Sequence, residues 1–110
     1  MPDVMADRRE ATRHPLIVMA EVTVFPNGVK LTARTSDVSR TGCYIDTLNP
    51  PPSGTAIRLR LTQKGETFET PARVVYVSPG LGMGVRFQEN IARPQMEVLE
   101  AWLTEIAKKT

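Results

Sequence analysis

The sequence is poor in the residues that most often carry catalysis or bind metals. Cys43 is its one cysteine and His14 its one histidine among 110 residues. A single cysteine cannot form an intrachain disulfide, and the two residues together are too few for a Cys/His zinc site. A nucleophile and its general base would have to be Cys43 and His14, and nothing in their spacing indicates such a pair. These shortages predict a protein that is not an enzyme, binds no metal and folds without disulfides.

Aromatic residues, charge of one sign and long apolar runs are also scarce. Phe, Trp and Tyr make up 5% of the chain, and 14 Lys and Arg against 12 Asp and Glu leave a net charge of +2. A small barrel that binds single-stranded nucleic acid would need a basic groove and several exposed aromatics. No apolar run approaches the ~20 residues of a membrane span, and the charged segment 1–14 lacks the apolar core of a signal peptide. We therefore expect a cytoplasmic protein with no DNA or RNA partner and no membrane insertion.

The length predicts one folded domain preceded by a polar arm. With 110 residues, 41% of them hydrophobic, the chain can bury one core but not two. Residues 1–14 show neither the period of two nor the period of 3.6 that a buried strand or helix requires. They predict a flexible N-terminal arm, mobile without ligand and ordered on binding, with 15–110 as the folded domain.

Residues from Leu16 onward predict an all-β domain. Short runs rich in Val, Ile, Leu and Thr are separated by turn signals about every eight to twelve residues, a pattern typical of a sandwich or small barrel. Strands are expected at 16–24, 29–37, 43–46, around 57–61, 67–77 and 83–87. Between the first two strands, Asn27-Gly28 supplies the positive φ values that a tight hairpin turn requires.

The apolar period changes after Asn90. Met96, Leu99, Leu103 and Ile106 recur three and four residues apart, which predicts one helix over about 94–108 with these side chains on its buried face. A helix of this length is not stable alone, so we expect it to cover the sheet or one end of a barrel.

Three arginines stand in the polar arm just before the first strand. Arg9 and Arg13 are separated by three residues, and Arg8 directly precedes Arg9. A spacing of four places both guanidiniums on one side of an extended chain. Each is a planar fork that can hold a phosphate, or the O6 and N7 edge of guanine, through two parallel hydrogen bonds. A solvated charged tail is the alternative interpretation, because Asp7 and Glu10 alternate with the arginines.

Asp37, Ser39 and Gly42 lie where one predicted strand ends and the next begins. Asp and Ser side chains bond to nearby backbone groups, and glycine adopts φ values that other residues resist, so the segment predicts a well-formed turn. The Asp37 carboxylate can also accept hydrogen bonds from N1 and N2 of guanine, while the hydroxyl and free N–H groups can serve phosphate or ribose. These residues alone leave both interpretations open.

Tyr76 lies in the fifth predicted strand, Gly82 directly precedes the sixth, and Gly84 lies within it. Glycines bracketing a strand indicate a turn and a close approach of the backbone. The segment is not a GxGxxG nucleotide loop, because a strand rather than a helix follows. Tyr76 is interpreted either as a partly buried strand aromatic or as a stacking platform for a base.

Taken together, these features resemble the PilZ domain family. The family's two signatures, RxxxR and (D/N)xSxxG, are present here as Arg9 to Arg13 and Asp37 to Gly42. Segments 72–77 and 82–87 also resemble the family's last strands, which a helix follows. The resemblance extends from Arg8 to the C-terminus.

The resemblance implies a six-stranded antiparallel β-barrel closed by a C-terminal helix, acting as a stand-alone receptor or adaptor for the bacterial second messenger cyclic di-GMP. In the family, arginines of the N-terminal arm contact guanine and phosphate, and the second signature lines the opposite wall. It thus implies that the ligand is bound by Arg9, Arg13, Asp37, Ser39 and Gly42. It implies no cofactor besides this ligand.

Two further residues are implied as ligand contacts. Arg8, directly before the first signature, matches family members that bind a stacked pair of ligand molecules rather than one. Tyr76 occupies the place where some relatives present an aromatic ring to a guanine. The chain is therefore expected to hold one or two molecules of cyclic di-GMP.

The resemblance also implies that the signal passes to an unidentified effector protein, because no catalytic domain is attached to receive it. An alternative function is a PilZ-like protein interaction module that does not bind the nucleotide, as degenerate relatives in the family do. The two intact signatures favour the receptor.

Overall fold

The structure, a computed structural model, describes residues 12–109, in which six strands are followed by one helix. The elements are β1 (Met19–Val24), β2 (Lys30–Val38), β3 (Gly42–Asp46), β4 (Ala56–Gln63), β5 (Glu66–Ser78), β6 (Gly82–Phe87) and α1 (Arg93–Lys109). Each predicted strand is present, and the helix extends one residue beyond the predicted range at either end.

The six strands close into an antiparallel barrel. Around the barrel they follow the order β1-β2-β3-β6-β5-β4, and pairing of β4 with β1 completes the ring. Closure leaves no unpaired sheet edge. Alternate side chains fill the interior: Ile57, Leu59 and Leu61 of β4 are buried, whereas Arg58 and Arg60 between them are exposed. The predicted fold class, a six-stranded barrel with a C-terminal helix, is confirmed.

Residues 16–18, predicted as the start of the first strand, lie beside β2 and are not part of β1. Their backbone groups bond instead to the buried side chain of Thr35. Its Oγ1 donates to the carbonyl oxygen of Leu16 at 2.7 Å and accepts from the amide of Val18 at 3.0 Å. The amide of Thr35 also donates to the carbonyl oxygen of Val18 at 3.0 Å, but the side-chain bonds interrupt the regular ladder, and the strand begins at Met19.

The hairpin turns differ in how they use positive φ. In the β1–β2 turn, Gly28 has a φ of 77°, whereas Asn27 does not adopt a positive φ. Asn27 instead accepts a hydrogen bond on Oδ1 from the amide of Val29 at 2.9 Å, so the sequence prediction is wrong for this residue. In the β4–β5 turn, Lys64 and Gly65 both have positive φ, 51° and 78°, as a two-residue hairpin requires.

The helix α1 packs against β5. On the predicted face, Leu99 and Leu103 are buried, and Met96 and Ile106 are half-buried against the core. Trp102, which the prediction did not include, is buried with them. Its Nε1 donates a hydrogen bond to the carboxylate of Glu66 on β5 at 2.9 Å. Within residues 12–109, no helix has the length and hydropathy needed to cross a membrane.

Candidate functional site

Two β-bulges decide which side chains face outward near the second signature. The register of β2 shifts between Thr35 and Asp37, and that of β5 shifts between Val74 and Tyr76. Side chains in a strand alternate between faces, so residues two apart normally point the same way. Thr35 and Val74 are buried. Each bulge inserts one residue and reverses the alternation, which turns Asp37 and Tyr76 to the outer face of the barrel.

Asp37 and Tyr76 belong to one row of paired residues, which we name the site row. Asp37 of β2 pairs with Tyr44 of β3, Tyr44 with Gly84 of β6, and Gly84 with Tyr76 of β5. Directly paired residues share a face of the sheet. The site row therefore places one carboxylate and two phenol rings on the same outer surface, across four neighbouring strands.

Two glycines of β6 make room for the tyrosine rings. A Cβ at Gly84 would overlap the ring of Tyr76, and a Cβ at Gly82 would overlap the ring of Tyr44 and a backbone oxygen of β3. The ring centroids are 6.1 Å apart and the planes are tilted by 39°. The close approach predicted for these glycines is present, and it leaves both rings lying against β6.

Arg13 is the one arginine of the first signature that lies within the described residues. Its Nη1 is 3.7 Å from Asp37 Oδ2. The pKa of the guanidinium is raised above its ordinary value, chiefly by hydrogen bonding to the Tyr76 side chain and further by the charge of Asp37, while burial acts in the opposite direction. Arg13 thus interacts with both ends of the site row.

The backbone next to Arg13 is attached to the barrel. The amide of His14 donates to the carbonyl oxygen of Val38 at 2.9 Å, and the amide of Val38 donates to the carbonyl oxygen of His14 at 3.0 Å. These bonds hold the end of the predicted arm beside Asp37. Arg8, Arg9 and most of that arm lie outside the described residues.

The carboxylate of Asp37 is incompletely bonded. Its Oδ2 faces Arg13, whereas Oδ1 is buried and accepts no hydrogen bond from any residue in 12–109. Leaving a buried acceptor without a donor costs about 1–3 kcal/mol. A ligand that brings N–H or O–H groups to this oxygen would remove that cost.

Ser39 organises the turn that follows Asp37. Its buried Oγ accepts hydrogen bonds from the amides of Thr41 at 3.2 Å and Gly42 at 3.1 Å, and donates to the carbonyl oxygen of Gly42 at 3.1 Å. The turn predicted for this segment is present. The hydroxyl predicted to face a ligand is engaged within the turn itself.

Gly42 is required for a different reason from the one predicted. Its φ lies outside the left-handed region, so the expectation of an unusual backbone conformation is wrong. A Cβ at this position would overlap the carbonyl oxygen of Val85 on β6. Glycine here permits the close approach of β3 to β6, which is needed for the site row to form.

Cys43 does not supply chemistry to the site. It faces the barrel interior, and burial, reinforced by the charge of Asp37, raises the pKa of its thiol. A thiol held protonated is a poor nucleophile. Within residues 12–109, no cluster of three or more His, Cys, Asp or Glu side chains could hold a metal ion.

The sequence prediction missed Tyr44. It lies two residues after Gly42 on β3, so the strand period of two places it on the outer face. That position alone does not distinguish it from any other half-buried strand residue. Its partners in the site row come from β2 and β6, which only the strand pairing reveals.

Comparison with protein families identifies the class of protein. A family model described as PilZ domain matches residues 7–105. The chain therefore belongs to the PilZ domain family, as its two signatures predicted. PilZ domains are receptor and adaptor modules and not enzymes, so the family assignment supports the prediction that this chain is not an enzyme.

Solved structures share the fold at low sequence identity. The PilZ domain of CeSA from a cellulose-synthesizing bacterium has a TM-score of 0.67 at 22% identity, over 86% of this chain and 97% of that one. The PilZ domain of YcgR from Escherichia coli, solved with c-di-GMP, has a TM-score of 0.74 at 15% identity, over 93% of each chain.

A third structure is longer than this chain. The Bacillus subtilis inhibitor of motility, MotI/DgrA, has a TM-score of 0.77 at 17% identity; the match covers 94% of this chain but only 53% of the inhibitor. The chain thus corresponds to about half the length of that protein. No curated protein matches the chain.

Proposed function

We propose that this chain is a receptor for cyclic di-GMP, which it binds across the site row. The ligand offers two guanines and two phosphates. Asp37 accepts hydrogen bonds from N1 and N2 of one guanine, and the fork of Arg13 holds a phosphate or the O6 and N7 edge of a guanine. Membership in the PilZ family supports this proposal, as does the shared fold of the YcgR domain solved with c-di-GMP.

The observation that carries the proposal is the unsatisfied oxygen of Asp37. Oδ1 is buried and without a donor among the described residues, and the guanidinium of Arg13 stands 3.7 Å from the other oxygen. The Watson–Crick edge of guanine carries N–H donors at N1 and N2, and two adjacent donors suit a carboxylate. Adenine has no N1–H, so this carboxylate favours guanine.

The N-terminal segment completes the proposed site. The backbone of this segment is held at His14, which is bonded to Val38 beside Asp37. The residues that precede His14 therefore join the barrel next to the site row. We propose that Arg9 joins Arg13 on the ligand and that Arg8 contacts a second, stacked molecule. Two cyclic di-GMP molecules bound at saturation would agree with this arrangement.

The remaining predicted residues have distinct proposed roles. Ser39 and Gly42 form the wall beside Asp37, Ser39 by holding the turn and Gly42 by letting β3 approach β6. Tyr76 is 41% exposed and offers a surface on which a base can stack.

The proposed output is contact with an effector protein. PilZ domains act as receptors and adaptors, and a chain that performs no reaction must change the behaviour of a partner to transmit a signal. Because cyclic di-GMP is an intracellular messenger in bacteria, we propose that the chain acts in the cytoplasm.

Calorimetric titration with cyclic di-GMP tests the receptor function. The wild-type chain is expected to bind, and Asp37→Asn is expected to weaken binding at least tenfold, because charge-assisted hydrogen bonds contribute about 1.5–3 kcal/mol. Asp46→Asn is the matched control, since Asp46 also pairs with an arginine on the outer face but lies outside the site row.

Two results would contradict the proposal. Absence of binding by the wild-type chain would favour the alternative, a PilZ-like protein interaction module that does not bind the nucleotide. Unchanged affinity of Asp37→Asn, together with a lowered melting temperature, would show that Asp37 serves the turn and not the ligand. Single-stranded RNA, titrated in parallel, is expected not to bind.

A further inference from the structure

We propose that Tyr44 is a second aromatic contact for the ligand and that the guanine bound by Asp37 stacks on Tyr44. This inference rests on the proposed function and adds a residue that neither signature contains. Tyr76 would then extend the same surface toward the rest of the ligand.

Strand pairing places Tyr44 next to Asp37. The two residues are direct partners in the β2–β3 register, and side chains of such pairs begin about 4.5–5.5 Å apart. Tyr76 lies on β5, three strands from β2 around the barrel, which corresponds to roughly 14 Å at the usual strand spacing. The Tyr76 ring lies over Gly84 and so extends back from β5 toward β3. A base hydrogen-bonded to Asp37 thus has Tyr44 on the adjacent strand and the Tyr76 ring next to Tyr44.

The tyrosine rings are arranged as one surface. Both lie against β6, in space that a Cβ at Gly82 or Gly84 would occupy. The centroid distance of 6.1 Å is within the range at which aromatic side chains attract each other. The two rings thus continue from β3 to β5, with an angle of 39° between their planes.

Both tyrosine side chains retain solvent-exposed surface that a ligand can cover. Tyr76 is 41% exposed, and Tyr44 is half-buried although it stands on the outer face. The carboxylate oxygen without a donor belongs to Asp37, which pairs with Tyr44 across the β2–β3 register. A purine meets both requirements at once, because its edge carries hydrogen-bond donors and its face stacks on aromatic rings.

Two substitutions of Tyr44 separate stacking from hydrogen bonding. In calorimetric titration with cyclic di-GMP, Tyr44→Phe keeps the ring and is expected to bind within about twofold of wild type. Tyr44→Leu removes the ring and is expected to bind about tenfold more weakly, in line with base–aromatic stacking energies. Phe25→Leu is the control, because Phe25 is an exposed aromatic in the β1–β2 turn and outside the site row.

A nuclear magnetic resonance measurement reports stacking directly. The H8 proton of a guanine above an aromatic ring moves upfield, and we expect this shift in the wild-type complex and in Tyr44→Phe. The shift should be reduced in Tyr44→Leu measured at saturating ligand. A merely structural contribution of Tyr44 to affinity would leave the shift in place and would overturn the assignment.

The outcomes distinguish this inference from the function on which it rests. Failure of the wild-type chain to bind cyclic di-GMP would reject both the proposed function and the role of Tyr44. Binding by wild type with unchanged affinity of Tyr44→Leu would reject only the role of Tyr44. If Tyr44→Leu does not fold, Overhauser contacts between the Tyr44 ring and guanine H8 in the wild-type complex decide: their presence supports the inference, and their absence overturns it.

Discussion

Replacing Arg13 with alanine separates two possible contributions of its guanidinium. The ion pair with Asp37 is long, 3.7 Å from Nη1 to Oδ2, and the two side chains are 55% and 28% exposed. Exposed ion pairs contribute only about 0–1 kcal/mol to stability. In the proposed complex the same fork makes charge-assisted hydrogen bonds to the ligand, which contribute about 1.5–3 kcal/mol. The substitution should therefore affect binding far more than folding.

These energies convert into two measurable changes. A loss of at most ~1 kcal/mol in the free energy of unfolding lowers the melting temperature of a domain of this size by no more than about 4–8 °C. A loss of 1.5–3 kcal/mol in binding raises the dissociation constant for cyclic di-GMP by about 10- to 150-fold. Thermal denaturation followed by circular dichroism gives the first quantity, and calorimetric titration gives the second.

Arg34→Ala is a matched control for Arg13→Ala. Arg34 is an outward arginine of β2 with a similarly long ion pair, 3.8 Å from its Nε to Asp46 Oδ2, and it lies outside the site row. It should show the same small loss of stability and no loss of affinity. The reasoning is refuted if Arg13→Ala lowers the melting temperature well beyond this control while affinity for cyclic di-GMP is unchanged.

Two further predictions concern stability. Gly42→Ala should lower the free energy of unfolding by about 1–3 kcal/mol, as measured by urea denaturation. The new methyl group overlaps the backbone carbonyl of Val85, which cannot turn away as a side chain would. Unchanged stability would show that β3 and β6 can move apart at no energetic cost. The pKa of Glu69 is lowered, chiefly by the hydrogen bond that Arg58 donates at 2.9 Å. Its contribution to stability is therefore present above its ordinary value of 4.5 and is lost as pH falls through the lower folded pKa. Glu69→Gln should be less stable than wild type at pH 7, with a difference that vanishes in acid, whereas a difference independent of pH would contradict this origin.

The barrel strands and the helix could be predicted from the sequence because both follow local periodicities. Ile57, Leu59 and Leu61 alternate with arginines, and this period of two is sufficient to predict a half-buried strand. Leu99 and Leu103 recur at helical spacing, and both are buried. Trp102 was left out of the predicted face, although it stands three residues after Leu99 and four before Ile106 and is buried with the other residues of that face.

Part of the candidate site could be predicted in the same way. Asp37, Ser39 and Gly42 form a short signature whose turn chemistry is local, and the turn is present. Arg13 was predicted from its spacing to Arg9, and the structure places its guanidinium beside Asp37. Side-chain types that bind phosphate and guanine are thus visible in the sequence before any fold is known.

The outward direction of the site was decided only by the tertiary structure. Without the bulges in β2 and β5, the strand period would point Asp37 and Tyr76 into the barrel with Thr35 and Val74. A bulge is a mismatch between two paired strands, so it is a property of the pair and not of either segment. The need for glycine at position 42 is also a property of a strand pair, because it depends on the carbonyl group of Val85 on β6. Local sequence indicated the signature residues of the candidate site, and pairing between distant strands determined that Asp37, Tyr44 and Tyr76 share one surface.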